Sequence, residues 1–239
     1  FVVEAGSSKN NLSKYATWHA NSKNVTEKGL RFPRGMNYGL YNLWKNDLFK
    51  RYKAFFLITN DTVINDKRTL QKLFLILQKN KKIGILSPCS KKWGENKLLK
   101  KNSIKFSWYI HNHAYLLNKD FLLKIINYSS GYKNFLYDGS NFRGYGLESE
   151  LIAKAYANNF AAAITNRVYL EENEEYLLNH VDLIKTDSYS KNLELYYKEG
   201  LRWMKKKYGF NNKWLLQNYV KLFYDDFFIN YPVYKKYKI

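Results

Sequence analysis

An α/β fold, with a mixed, mainly parallel sheet flanked by helices and a helical C-terminal extension, is predicted by three observations along this 239-residue chain. Short apolar strands, 54–58 and 83–86, alternate with segments of helical periodicity, the pattern of a parallel sheet covered on both faces. Both strands run into polar turns, Thr59-Asn60-Asp61 and Ser87-Pro88, at the edge where such sheets collect ligands. From about Ser188 the pattern becomes helical and basic, with Gly209 placed to stop one helix before the next.

The chain opens in mid-strand at Phe1-Val2-Val3, so an upstream segment is expected, and a polar turn follows over Glu4 to Lys9 with the Gly6-Ser7-Ser8 signal. Pro33 and Gly35 precede a predicted helix whose Met36, Leu40, Leu43 and Trp44 share one face. After Asp61, the spacing of Leu70, Leu73, Phe74 and Leu77 predicts a helix that Asp66 can cap. Cys89 to Lys105 reads as a loop, Phe106 to Leu117 as a strand, and Lys119 to Tyr128 as a helix. The Gly/Tyr/Asn-rich passage Ser129 to Gly146 is expected to be mobile. It leads to a helix from Leu147 with Leu151, Ile152, Ala155 and Tyr156 on one face, then a strand over Ala161 to Thr165. The expected divisions are 1–88, 89–187 and 188–239.

A hydrophobic content of 46% is enough for a full core. The formal charge of +20 favours an anionic partner, whether nucleic acid, a membrane surface or a nucleoside diphosphate, and does not choose among them. Abundant Lys, Asn, Tyr, Ile and Phe match A/T-rich coding, which lowers the weight of the charge and makes nucleic acid the less favoured partner. Cys89 is the only cysteine, so neither an intrachain disulfide nor a cysteine-based zinc site can form, and a reducing cytoplasmic setting fits. No apolar run approaches the ~20 residues that span a bilayer.

Several residues have chemistry beyond their local structure. Asp61, at a strand end, is placed to hold a divalent cation that neutralises a diphosphate, although an isolated Asn-Asp pair reads first as a turn. Arg34 and Asn37, with Arg31 as substitute, precede or open a helix, where guanidinium and backbone N–H groups meet phosphate oxygens. His111 and His113, two apart on the predicted strand, point the same way and suit the polar lining of a pocket. The C-terminal Trp203, Trp214, Tyr219, Phe223, Phe227 and Phe228 are expected mainly to pack, leaving the interleaved lysines to face an anionic membrane.

Taken in order, Val2-Val3-Glu4-Ala5-Gly6-Ser7-Ser8, the stretch from Gly29 to Asn37, the strand Leu57 to Thr62, the strand Ile83 to Pro88, and Phe142-Arg143-Gly144-Tyr145-Gly146-Leu147-Glu148-Ser149-Glu150-Leu151 form a series. His180 and the basic segment Gly200 to Gly209 continue it. The series resembles the family 2-like, inverting GT-A glycosyltransferases that build bacterial surface polysaccharides. The resemblance implies a GT-A-like domain and transfer of a sugar from a nucleotide-diphosphate donor to a saccharide or lipid-linked acceptor. The setting it implies is cytoplasmic, at the inner face of the plasma membrane.

On that reading Glu4 and Ser7 contact base and ribose, Asn60 and Asp61 lie at the donor diphosphate with Mg²⁺ or Mn²⁺, and His180 completes the metal site or touches the diphosphate. Glu148, with Glu150 second, removes the acceptor proton from the first turn of a helix. Two departures are plain: the family's leading strand and its helix would precede Phe1, and Thr59 stands where the first acid of a full Asp-X-Asp would be. A basic nucleic-acid-binding protein and a non-catalytic relative of the transferases are the alternative readings.

Overall fold

The structure is a computed structural model that describes residues 1–111, 113–173, 175 and 188–239. In chain order the elements are β1 (Val2–Ala5), β2 (Ala16–Ala20), α1 (Lys23–Lys28), α2 (Arg31–Lys45), β3 (Ala54–Ile58), β4 (Thr62–Ile64) and α3 (Thr69–Lys79). There follow β5 (Ile83–Cys89), β6 (Ile104–Phe106), β7 (Ala114–Asn118), α4 (Lys119–Ile125), α5 (Leu147–Ala157), β8 (Ala161–Glu172), α6 (Tyr189–Tyr208) and α7 (Lys213–Asn230).

The chain divides into two compact units that interleave in sequence and do not coincide with boundaries at 88 and 187. The first unit contains Phe1–Arg51, Ile126–Leu147 and the chain from Ser188 to Asn212. Its strands β1 and β2 pair in parallel, as a connection longer than a hairpin allows. Gly6 follows β1 at φ +81°, with the space for a side chain filled by the Val25 carbonyl oxygen, so the Gly-Ser-Ser turn needs glycine there. Val3 and Ala5 pack with Ala20, Val25 and Leu30. The 126–147 passage, expected to be mobile, is tightly built. Phe135 is fully buried among Tyr41, Trp44, Phe49 and Tyr128, and the Asn37 side chain holds the backbone of Lys133, Leu136 and Tyr137. Helix α6 ends where the sequence placed its stop, at Gly209 in the left-handed region with φ +76°.

The second unit contains Tyr52–Ile125, the chain from Glu148 through β8, and Lys213–Ile239. Its sheet has the order β3-β7-β5-β8-β4, with β6 also paired to β8. The sheet is mixed, as expected, but among the described strands only the β5–β8 pairing is parallel, which corrects the expectation of a mainly parallel sheet. The reason is connectivity. Strands linked through a helix, β3 to β5 by α3, run in the same direction, whereas β7 begins at the edge where β5 ends and runs back between β3 and β5. The predicted strand over 106–117 is two short strands, β6 and β7: the Ser107 N–H still donates to the Ala162 carbonyl of β8, and its hydroxyl then bonds the Tyr109 backbone, where the chain turns away. Strand β5 is buried along its whole length, and it runs on through Ser87 and Pro88 to Cys89, past the turn expected to end it, because both turn residues pair with β8. Helix α7 buries Tyr224, Phe227 and Phe228 against Phe106 and Tyr156, so packing accounts for most of these aromatics, while Trp214 stays exposed.

Candidate functional site

One edge of the second unit's sheet gathers polar groups. The ends of β3, β5 and β8 meet there with the start of β7, which runs against them. Leaving β3, Thr59 donates its N–H to the His113 carbonyl at 3.1 Å and accepts from the Thr62 N–H at 3.2 Å. Asn60 and Asp61 therefore occupy the centre of a tight turn between β3 and β4, as the local sequence preference requires. The turn carries a further feature. Asp61 is half-buried, its carbonyl accepts from the Asn173 N–H at 2.8 Å, and its Oδ1 is buried with no hydrogen-bond partner among the described residues. A buried carboxylate oxygen without a donor is costly, and a cation is the usual remedy.

His113 is 1% exposed, and neither ring nitrogen has a hydrogen-bond partner among the described residues. Burial, with a smaller contribution from His111, pushes its pKa down to about 4, so the ring is neutral at pH 7. Its ring meets Trp93 edge-on at 4.4 Å, and the opposite company of Trp93 is His111, stacked at 3.4 Å and 19°. His111 Nε2 lies 2.6 Å from Glu95 Oε1, and Tyr109 borders the same ring at 5.4 Å. Lys213 stands 5.6 Å over Tyr109 and forms an ion pair with Glu148. Contacts thus run without a break from the Asp61 turn through His113, Trp93, His111, Tyr109 and Lys213 to Glu148. Glu171, at the end of β8, accepts from Ser90 Oγ at 2.5 Å and Lys91 N at 2.9 Å, closing the rim over β5. It also borders a cleft of about 420 Å³ that includes Lys91, Lys92 and Arg167.

Glu148 and Glu150 do open a helix, α5, as expected, but both are buried, at 1% and 5% exposure. The Glu148 carboxylate faces the Lys213 ammonium rather than open space. The carboxylate expected to remove the acceptor proton is thus a buried ion-pair partner in this structure. Such a pair in the interior places the carboxylate as a structural counter-ion to Lys213.

In the first unit, Glu4 is engaged within its own loop, accepting from Ser7 Oγ at 2.7 Å and Ser13 N at 3.1 Å, and His19 Nε2 lies 3.1 Å from the Ser7 carbonyl. Glu4 and Ser7 are thus together at the end of β1. Arg34 and Asn37 lie inside α2, which opens earlier, at Arg31. Arg34 Nε donates to the Gly139 carbonyl at 2.9 Å, with the guanidinium over Phe142. Asn37 is fully buried, donates twice through Nδ2 and accepts twice at Oδ1. Its side chain is a brace with no capacity left for a phosphate, which corrects its expected role. His180 lies outside the described residues.

Among the described residues no group of three or more His, Cys, Asp and Glu is arranged to hold a metal, and no helix is long and apolar enough to cross a membrane. The residues that the sequence reading missed are Trp93, Glu95, Tyr109, Glu171 and Lys213. Trp93 and Glu95 sit in the polar loop after β5, and only a tryptophan and an acid in an otherwise lysine-rich stretch marked them. No protein-family model matches the chain, and no curated protein and no solved structure matches it.

Proposed function

We propose that this chain is a glycosyltransferase that moves a sugar from a nucleotide-diphosphate donor to a saccharide or lipid-linked acceptor hydroxyl with inversion. The observation that carries the reading is Asp61, a strand-terminal carboxylate whose buried Oδ1 has no hydrogen-bond partner among the described residues, beside a rim of polar and aromatic groups. A single carboxylate suits Mg²⁺ or Mn²⁺ when the remaining ligands are diphosphate oxygens and water, because magnesium keeps several waters and is commonly held by one or two carboxylates plus substrate phosphates. The bound cation supplies charge neutralisation for the departing nucleoside diphosphate. Asp61 holds that charge at the sheet edge, and Lys91, Lys92 and Arg167 give the neighbouring cleft a positive field for phosphate oxygens.

The test is a melting-temperature screen of the chain with UDP- and GDP-sugars in the presence of Mn²⁺. At least one donor is expected to raise the melting temperature, by linkage of binding to folding, and Asp61→Asn to abolish the rise while melting normally without ligand. A chain stabilised equally with and without Asp61, or by no nucleotide sugar, contradicts the reading.

The alternative with a specific observation behind it is the non-catalytic relative, because the helix-opening Glu148 is buried against Lys213. It is distinguished by donor binding without any nucleotide release.

A further inference from the structure

We infer that His111, with Glu95 set against its ring, takes the proton from the acceptor hydroxyl, a base that neither the helix-opening acids nor the strand-end turn supplies. The inference rests on the glycosyl-transfer reading above.

Inverting transfer needs one group to accept a proton as the acceptor oxygen attacks, and that group must be reachable and basic near neutral pH. The Glu148 carboxylate fails on access, being 1% exposed and paired with Lys213. His113 fails on basicity, since burial holds it neutral down to about pH 4. The His111 side chain is 26% exposed and sits on the same rim as the Asp61 turn, joined to it through Trp93 and His113. Three neighbours fit it for the task. Glu95, with a side chain only 10% exposed, sets its carboxylate 2.6 Å from Nε2, which leaves the other ring nitrogen, Nδ1, for the acceptor proton. Trp93 fixes the ring plane by stacking at 3.4 Å and stabilises an imidazolium by its π face. Tyr109 closes the ring's other side at 5.4 Å.

In the step, the acceptor oxygen forms a bond to the anomeric carbon while the bond from that carbon to the diphosphate oxygen breaks. The electron pair leaves with the nucleoside diphosphate, and the hydroxyl proton passes to His111 Nδ1. The resulting imidazolium is offset by the Glu95 carboxylate. His111 is then the catalytic residue and Glu95 a positioning residue. The groups facing the ring from each side are Glu95, Trp93, Tyr109 and, beyond Trp93, His113.

The experiment measures nucleoside-diphosphate release from a panel of UDP- and GDP-sugars with Mn²⁺, in the full chain and in His111→Ala, His111→Gln, Glu95→Gln and Asp61→Asn. Both His111 variants are expected to lose about 100-fold or more in kcat, with donor KM held within about threefold. Added imidazole should restore part of the rate to His111→Ala, which a merely structural loss would not allow. Glu95→Gln should lower kcat while leaving donor KM within about threefold, because the imidazolium formed in the step loses its counter-charge. If both His111 variants turn over within about threefold of the unaltered chain while Asp61→Asn is inactive, the base assignment falls and the transferase reading stands. If the unaltered chain neither binds nor consumes any donor, the transferase reading fails and takes this inference with it.

Discussion

Asn37 shows how one side chain in this molecule does structural work that its position in a helix did not announce. Both its donors and its acceptor are committed to the backbone of 133–137, so the 126–147 passage is tied to α2 through a residue with 0% exposure. Replacement by alanine strands four backbone groups of 133–137, at a cost of about 3 kcal/mol. Asn37→Ala should therefore lower the urea midpoint clearly, with far-UV dichroism unchanged at low urea. An unshifted midpoint would show that the passage is held by its aromatic packing alone. At this scale the residue types were legible and their partners were not: a single sequence does not reveal the carbonyls of Gly139 and Lys133 that Arg34 and Asn37 bond. The same holds for Glu148, whose helix-opening position was legible while its partner Lys213, 65 residues away in the chain, was not.

The elements follow the apolar pattern more faithfully than the residues follow their expected tasks. Strand β3, the start of β5, helices α3 and α5, and the stop at Gly209 lie where periodicity and turn chemistry put them, whereas β5 continues through Ser87 and Pro88, the turn expected to end it. The direction of β7 did not follow from its own composition, because strand orientation is set by the connection before it and β5 to β7 has no crossover helix. The loop after β5 was legible only as a loop. Its Trp93 and Glu95 gain meaning from the two histidines that β7's approach brings to them. Helix α6 offers a prediction at this scale. Glycine in a helix interior ordinarily costs about 1 kcal/mol relative to alanine, but a Cβ on Gly200 would meet the Tyr145 Cβ at 2.5 Å and its carbonyl oxygen at 2.8 Å. Gly200→Ala should thus destabilise by about 2 kcal/mol instead of stabilising. A raised urea midpoint would contradict the contact between α6 and Tyr145.

At the scale of the whole molecule, stability should depend on pH through His113. Its folded pKa is depressed, from 6.5 to about 4, chiefly by burial, so the unfolded chain binds this proton first. The stabilisation is complete above the unfolded value and is lost as pH falls from about 6.5 towards 4. Between pH 7 and 4.5 the loss amounts to about 2 kcal/mol from this group. Asp138 does not interfere in that window. Burial would raise its pKa, but hydrogen bonds from Lys207, Ser140 and Trp203 outweigh burial and hold it well below the usual carboxylate range, so its contribution fades only at lower pH. Urea midpoints should fall between pH 7 and 4.5 in the unaltered chain and fall less in His113→Leu. Equal slopes in the two would remove His113 from the account. The net charge of +20 also acts at this scale, drawing anions of every class, and for that reason it never identified the substrate.

The central claim is that Asp61 holds a cation for a nucleotide-sugar donor, and nucleoside-diphosphate release tests it most directly. With its preferred donor and Mn²⁺ the chain should release the diphosphate at a measurable rate. Chelation by EDTA and the substitution Asp61→Asn should each suppress that release, and melting temperatures without ligand should stay unchanged. Release that persists undiminished in Asp61→Asn, or a failure to release nucleotide from any donor with Asp61 intact, would contradict the account.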